Sequence, residues 1–270
     1  MRKTQYFGSG HKIRAAIACG CLVAMTTSLQ AQAQAQAQEQ SGVLEITPGS
    51  PLFKVPELRD YEARYNSSFS KTGEFTLQVR VTGDGKKLSM IDIIPGENVV
   101  IVAHRQIDVA SQLEEFSAGP NFAWGPEFIV KQSNGKASDW TRVSVGGGEP
   151  KRAAGSVANS GSVSEMFSPL LATLMPMGVG SKFRLPAMYA RKGEIASSEF
   201  DDYEVTGRER LETASGLSCE CWVIDKKTWG GSLERIWVAR EAPYVFKRHR
   251  DVGGSRSFVS ELTGYRALEK

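Results

Sequence analysis

The sequence predicts a mainly β protein of the α+β class: a curved antiparallel sheet, or an incomplete β-barrel, covered by one amphipathic helix. Three observations carry this expectation. Short runs of alternating apolar and polar residues recur between Gly- and Asn-containing turns. Several C-terminal runs are apolar on both faces, so neither face is suited to water. One segment, Ser162 to Met175, has helical rather than period-two spacing.

The chain begins with the features of a secretory signal peptide, expected over residues 1–33. Arg2, Lys3, Lys12 and Arg14 form a positive start with no acidic residue, and Ala15 to Met25 is an apolar run of eleven residues. Gln/Ala repeats follow, and Ala31 with Ala33 gives the small-x-small pattern of a cleavage site. Eleven apolar residues fall short of the roughly 20 needed to span a bilayer, so no transmembrane anchor is expected in the mature form. Lipidation at Cys19 or Cys21 is the alternative to cleavage after Ala33. Either route places the protein in the periplasm or outside the cell. Cleavage removes four of the 33 Lys/Arg and none of the 30 Asp/Glu, leaving 29 basic residues against 30 acidic. A near-neutral mature chain lacks the basic stripe of a nucleic-acid binder.

Residues 34–42, rich in Gln and Ala, read as a disordered low-complexity segment. Residues 43–270 read as a single β-rich domain, long enough for one large core. Phe75, Leu77, Val79 and Val81 alternate with Thr76, Gln78 and Arg80, the pattern of a strand with one buried face. The GDGKK turn leads into a second strand, Leu88 to Ile94, and Val99 to Ala103 is a continuous apolar run suited to a central strand. Asn134-Gly135 marks a tight hairpin between Phe128–Gln132 and Trp140–Val145. Residues 146–161 (GGGEPKRAAGSVANSG) read as a mobile loop.

The helix is expected next. Ser162 and Glu165 fit a capping box, and Met166, Phe167, Leu170, Leu171, Leu174 and Met175 fall on one face. Pro169 costs a mid-helix hydrogen bond, unless Ser168 caps a second short helix with Pro169 at its first position. The last seventy residues read as an antiparallel meander of five strands, punctuated by Ala214-Ser215-Gly216, Trp229-Gly230-Gly231 and Gly253-Gly254. Within it Cys219, Cys221 and Val223 point one way and Trp222 and Ile224 the other. The amphipathic helix is the expected cover for the second face.

These residues carry a resemblance. Gly216, Cys221-Trp222-Val223-Ile224-Asp225, Glu234-Arg235-Ile236-Trp237-Val238 and Pro243-Tyr244-Val245-Phe246-Lys247 resemble a family of bacterial envelope proteins classed as a domain of unknown function. Leu174-Met175-Pro176, Gly180 and Phe183-Arg184-Leu185-Pro186 fit the same pattern, so the likeness covers roughly residues 160–265. It implies an incomplete β-barrel closed by a helix, similar in outline to periplasmic lipoprotein carriers, which hold acyl chains between sheet and helix. Fold alone does not carry function.

Catalytic chemistry finds no support in the pattern. There is no G-x-S-x-G, H-E-x-x-H, C-x-x-C or phosphate loop, so no enzyme activity, cofactor or metal is expected. Cys219 and Cys221 are the only cysteines left after export. Two small buried hydrophobes is one reading, and a thiol redox pair or soft-metal site is the other. Residues i and i+2 of a strand sit about 7 Å apart, whereas a disulfide needs Cβ atoms about 4 Å apart. Asp201-Asp202 and Glu114-Glu115 read as solvated carboxylates, and Lys247, Arg248 and Arg250 as a solvated strand end.

Three function classes follow. The first is a non-enzymatic exported protein that binds a hydrophobic or lipid-like ligand between sheet and helix, through Met166, Phe167, Leu170, Leu171, Leu174, Met175, Trp222 and Trp237. The second is an envelope protein-interaction or structural domain with a filled core. The third is a redox or metal-binding protein that acts through Cys219 and Cys221.

Overall fold

A computed structural model describes residues 42–46, 58–68, 72–95, 100–110, 114–121, 127–133, 137–144, 151–158, 178–191, 194–228, 231–251 and 257–269. The chain divides into two compact units, Met1–Leu44 and Glu45–Lys270. Of the first, only residues 42–44 are described, and they open strand β1 (Val43–Glu45).

The second unit is built from antiparallel strands: β2 (Tyr61–Ser67), β3 (Glu74–Thr82), β4 (Lys87–Pro95), β5 (Val100–Asp108), β6 (Glu114–Asn121), β7 (Glu127–Ser133), β8 (Ala137–Ser144) and β9 (Lys151–Ala158). After residues 159–177 come β10 (Lys182–Arg191), β11 (Glu194–Glu212), β12 (Ser218–Lys227), β13 (Leu233–Val238), β14 (Val245–Asp251) and β15 (Ser257–Ala267). One sheet holds them in the order β10-β11-β12-β13-β14-β15-β2-β3-β4-β5-β6-β7-β8-β9. Ile46 donates its N–H to Arg184 O at 3.0 Å beside β10. The C-terminal meander and the N-terminal strands therefore belong to one sheet, joined where β15 pairs with β2 (Leu262 opposite Tyr65).

The expected cover is corrected here. The sheet is large and not closed into a barrel, and the described residues are strands with no helix among them. The segment Ser162–Met175, with Met166, Phe167, Leu170, Leu171, Leu174 and Met175, lies outside the described residues. The second apolar face of β12 has another explanation. Cys221 and Val223 share a face with Trp237 of β13, whose indole lies opposite Val223 in the ladder. Trp237 is 7% exposed, held by its Nε1–H to Glu209 Oε2 at 2.6 Å and overlain by Lys247 at 5.3 Å. Large side chains of neighbouring strands cover that patch, so it does not require a helix. A second difference falls in 146–161, expected as loop, of which residues 151–158 form β9. There Gly155 lies opposite Trp140, and a Cβ on it would stand 2.7 Å from Trp140 Cζ2, so the ring packs onto a residue without a side chain.

Alternation along the strands gives the sheet two distinct faces. The inner face carries Tyr61, Ala63, Tyr65, Leu77, Val79, Leu88, Met90, Ile107, Ile224, Ile236 and Val238, all at most 1% exposed. Accessible area includes the walls of any internal hole that admits water, so these side chains are packed on every side. Cross-strand aromatic pairs add to this core: Tyr65 stacks on Phe75 at 4.8 Å, and Phe183 on Tyr203 at 5.0 Å. Tyr65 also reaches over β15 to donate its hydroxyl to Val245 O at 2.9 Å.

The outer face is charged. Glu62 meets Gln78 at 3.2 Å and Arg266 at 3.1 Å, Asp225 pairs with Arg235 at 2.6 Å, and Lys247 with Glu261 at 2.6 Å. Among the described residues no helix is long and apolar enough to cross a membrane.

Candidate functional site

The inner face is not wholly apolar. Asp201 (β11), Lys226 (β12), Glu234 (β13) and Arg248 (β14) are buried on it, one from each of four adjacent strands. The ladder places Lys226 opposite both Glu234 and Tyr203, and Arg248 opposite Ile236. Lys226 Nζ lies 2.9 Å from Asp201 Oδ2 and 3.8 Å from Glu234 Oε2, and Arg248 pairs with the other Glu234 oxygen. Each charge thus has an opposite neighbour where bare burial would cost several kcal/mol.

A second pair, Arg105 (β5) with Asp92 (β4), sits on the same face. Burial pushes the Arg105 guanidinium below its ordinary value, while the Glu114 carboxylate holds it up and the charge of Arg248 presses it further down. Arg248 also acts on the Tyr65 phenol, which burial raises and that positive charge lowers. Both charged groups are buried on the inner face, on strands far apart in the sheet order, and are together called its charged belt.

The belt is incompletely satisfied. Asp92, 5% exposed, has a buried Oδ1 with no hydrogen-bond partner. Arg250, two residues past Arg248 on the same face, has a buried Nε with no partner. Beside the pair at Asp92 the inner face becomes half-buried: Ile94, Ile101 and Ala103 line it along β4 and β5. A filled apolar core thus gives way to an accessible apolar strip next to buried charge.

Of the sequence-expected ligand contacts, the two that are described lie on opposite faces of the sheet. Trp222 pairs with Val238 and lies on the inner face, covered by the Arg208 guanidinium 3.8 Å from its ring. Trp237 pairs with Val223 and lies on the outer face. The other six expected ligand contacts fall on the undescribed segment. Cys219 is half-buried and Cys221 buried, both on the outer face as free thiols. Burial raises the Cys219 thiol against a lowering hydrogen bond from Cys221, and the Glu220 and Glu241 charges raise it further. Burial likewise pushes the Cys221 thiol up, which disfavours the thiolate at both positions. His104 is engaged with Ser89 Oγ at 2.9 Å and packs on Phe116.

Two expectations about charge are corrected. Asp201, expected in solvent, is fully buried against Lys226. Arg248, expected at a solvated strand end, is 8% exposed and ion-paired. The sequence signal for this belt is slight: three of the four residues lie in runs whose neighbours are equally polar. On the outer face Val100 and Val102 are 61% and 48% exposed, beside half-buried Ile91, Ile93 and Phe116, which makes an apolar patch over β4, β5 and β6.

No family model matches the chain, and no curated protein matches it either.

Proposed function

We propose that this chain is an exported, non-catalytic binding protein of a bacterial cell envelope that holds a hydrophobic or lipid-like molecule against the inner face of its sheet. The observation that carries the reading is the meeting of the half-buried strip Ile94, Ile101 and Ala103 with the buried pair Asp92 and Arg105. An apolar recess with a few fixed polar groups suits a ligand with one greasy and one polar part. Burial of apolar area, about 25 cal/mol per Å² before ordering costs, supplies the affinity. Export rests on the basic start, apolar run and Ala/Gln cleavage region of residues 1–33.

Native mass spectrometry of protein purified gently from periplasm tests this. A reproducible extra mass that extracts into organic solvent supports it. A clean apo mass, with no uptake of added fatty acid or phospholipid, contradicts it.

A second reading is an envelope interaction domain with a filled core. Tyr61, Tyr65, Leu77 and Val79 at zero exposure favour it, because no ligand fits beside them, and the Val100–Val102 patch would be its contact surface. In-cell cross-linking that recovers one defined protein through that patch, with no bound lipid, would select this reading.

A further inference from the structure

The two faces of the sheet exchange character along its length. In β3 the inward residues Phe75, Leu77 and Val79 are apolar and buried, while Thr76, Gln78 and Arg80 point outward. β6 reverses this, with Phe116 and Ala118 outward and Ser117 and Gly119 inward. The ladder carries the outward row onward: Ala118 stands opposite Val130, Val130 opposite Thr141, and Val143 follows Thr141 on the same face of β8. Alternation denies these side chains any route to the inner core. Together with Ile93, Val100 and Val102 they make one apolar face from β4 to β8, on which Val100 and Val102 are 61% and 48% exposed. Large contiguous apolar patches on a folded chain mark interaction sites.

Charge at the margins selects the occupant. Asp139 and Arg152 are both exposed and both on this face, at opposite ends of the β8–β9 ladder, with Asp139 opposite Ser156 and Arg152 opposite Val143. Four strand residues, about 13 Å, separate them within one chain, too far for an ion pair. A two-fold axis lying across the strands at the level of Thr141 and Ala154 exchanges the two ends of the ladder. It brings Arg152 of each copy to the partner's Asp139, around a centre of Ala118 and Val130 that meets itself without charge. Packed sheets stand about 10 Å apart, a gap that these two side chains span. A membrane surface would instead be met by clustered basic residues. Lys87, at the β4 margin of this face, is already engaged with Glu115 and Asp108.

We propose that the outer face of β4 to β8 is the interface of a two-fold homodimer, sheet against sheet, in which Arg152 pairs with the partner's Asp139. Burial of the apolar face supplies the affinity, and the charge pair fixes the antiparallel orientation. The interface lies on the opposite side of the sheet from the inner face, so the inference goes beyond the ligand reading and fails or holds apart from it.

Sedimentation velocity of the full mature chain over a wide concentration range tests this, with Val102→Glu, Asp139→Arg, Arg152→Asp and the double charge reversal as variants. Circular dichroism and melting curves first establish that each variant folds. The expected result is a dimer of the unaltered chain, which Val102→Glu weakens at least tenfold. Each single charge reversal also weakens it at least tenfold, and the double reversal restores it, because the two charges couple only between copies. A monomer at every concentration overturns the proposal, including one that floats with anionic phospholipid vesicles through this face. A dimer that Val102→Glu leaves unchanged, or whose single reversals the double reversal does not rescue, overturns it as well.

Discussion

Lys226 on β12 and Asp201 on β11 form an ion pair, Nζ to Oδ2 2.9 Å, with side chains only 2% and 1% exposed. The contact is charge against charge rather than a well-aligned hydrogen bond. Truncating Lys226 removes from Asp201 its opposite charge at 2.9 Å inside a buried site. Lys226→Met should therefore cost about 3–5 kcal/mol. Adding Asp201→Leu should recover most of that loss, because replacing a whole buried pair with apolar groups is often neutral or stabilising. Urea unfolding of the single and double variants measures both, and equal destabilisation by the two would mean the pair is not coupled.

Alkaline pH probes the filled core. Burial raises the Tyr61 phenol, and the neighbouring phenols Tyr65, Tyr244 and Tyr265 raise it further. Burial also raises Tyr65, against the lowering charge of Arg248. A group whose folded value is raised stays protonated in the native chain while the unfolded chain ionises. Their stabilising contribution is complete below the ordinary phenol value of 10.0 and falls as pH rises above it. Each phenol should subtract about 1.4 kcal/mol per pH unit beyond that point. Urea midpoints measured from pH 8 to 11 should fall steeply above 10, and Tyr65→Phe should flatten the slope. A level profile would place these rings in contact with solvent.

The cysteines give a kinetic test. Burial opposes ionisation of both thiols, most strongly for Cys221. Under native conditions at pH 7.5 a maleimide should modify Cys219 slowly and Cys221 only after denaturant is added. Rapid labelling of both in the folded protein would contradict the burial and restore the redox or metal reading.

The outer-face indole gives a fourth. Trp237→Phe keeps most of the ring area but loses the 2.6 Å bond to Glu209, at a cost of about 1 kcal/mol. Glu209→Gln should cost less, because the amide still accepts the indole N–H. A Glu209→Gln loss larger than that of Trp237→Phe would mean Glu209 acts through another group.

Much of the sheet was legible where a strand has one wet face. Phe75, Leu77 and Val79 alternate with polar neighbours, and β3 and β4 fall where that alternation places them. The turns of the C-terminal meander were legible for the same reason, since glycine marks the reversals. Besides the three-residue β1, four strands were not. β6 contains Gly119 and Pro120, β9 is built from small residues, and β10 contains Pro186, so pairing with neighbours rather than local preference defines them. β2 shows alternation in Tyr61, Ala63 and Tyr65, but its seven residues stand isolated beside a long stretch without pattern. The charged belt was illegible for a different reason. Asp201, Lys226, Glu234 and Arg248 stand on four strands, and only the register of three ladders brings them together. Apolarity on both faces of β12 suggested a helix, whereas neighbouring side chains cover the face that holds Cys221 and Val223.

The central claim is that a ligand lies on the inner face, and alternation along β5 allows a direct test. Ile101 and Ala103 face inward, while Val100 and Val102 face outward. Photolabelling with a diazirine-bearing fatty acid, followed by residue-level mass spectrometry, distinguishes the two sets. The account predicts cross-links at Ile94, Ile101 and Ala103, and their loss in competition with unlabelled dodecanoate. Cross-links confined to Val100, Val102 and Ile93, or none that an unlabelled fatty acid displaces, would contradict it.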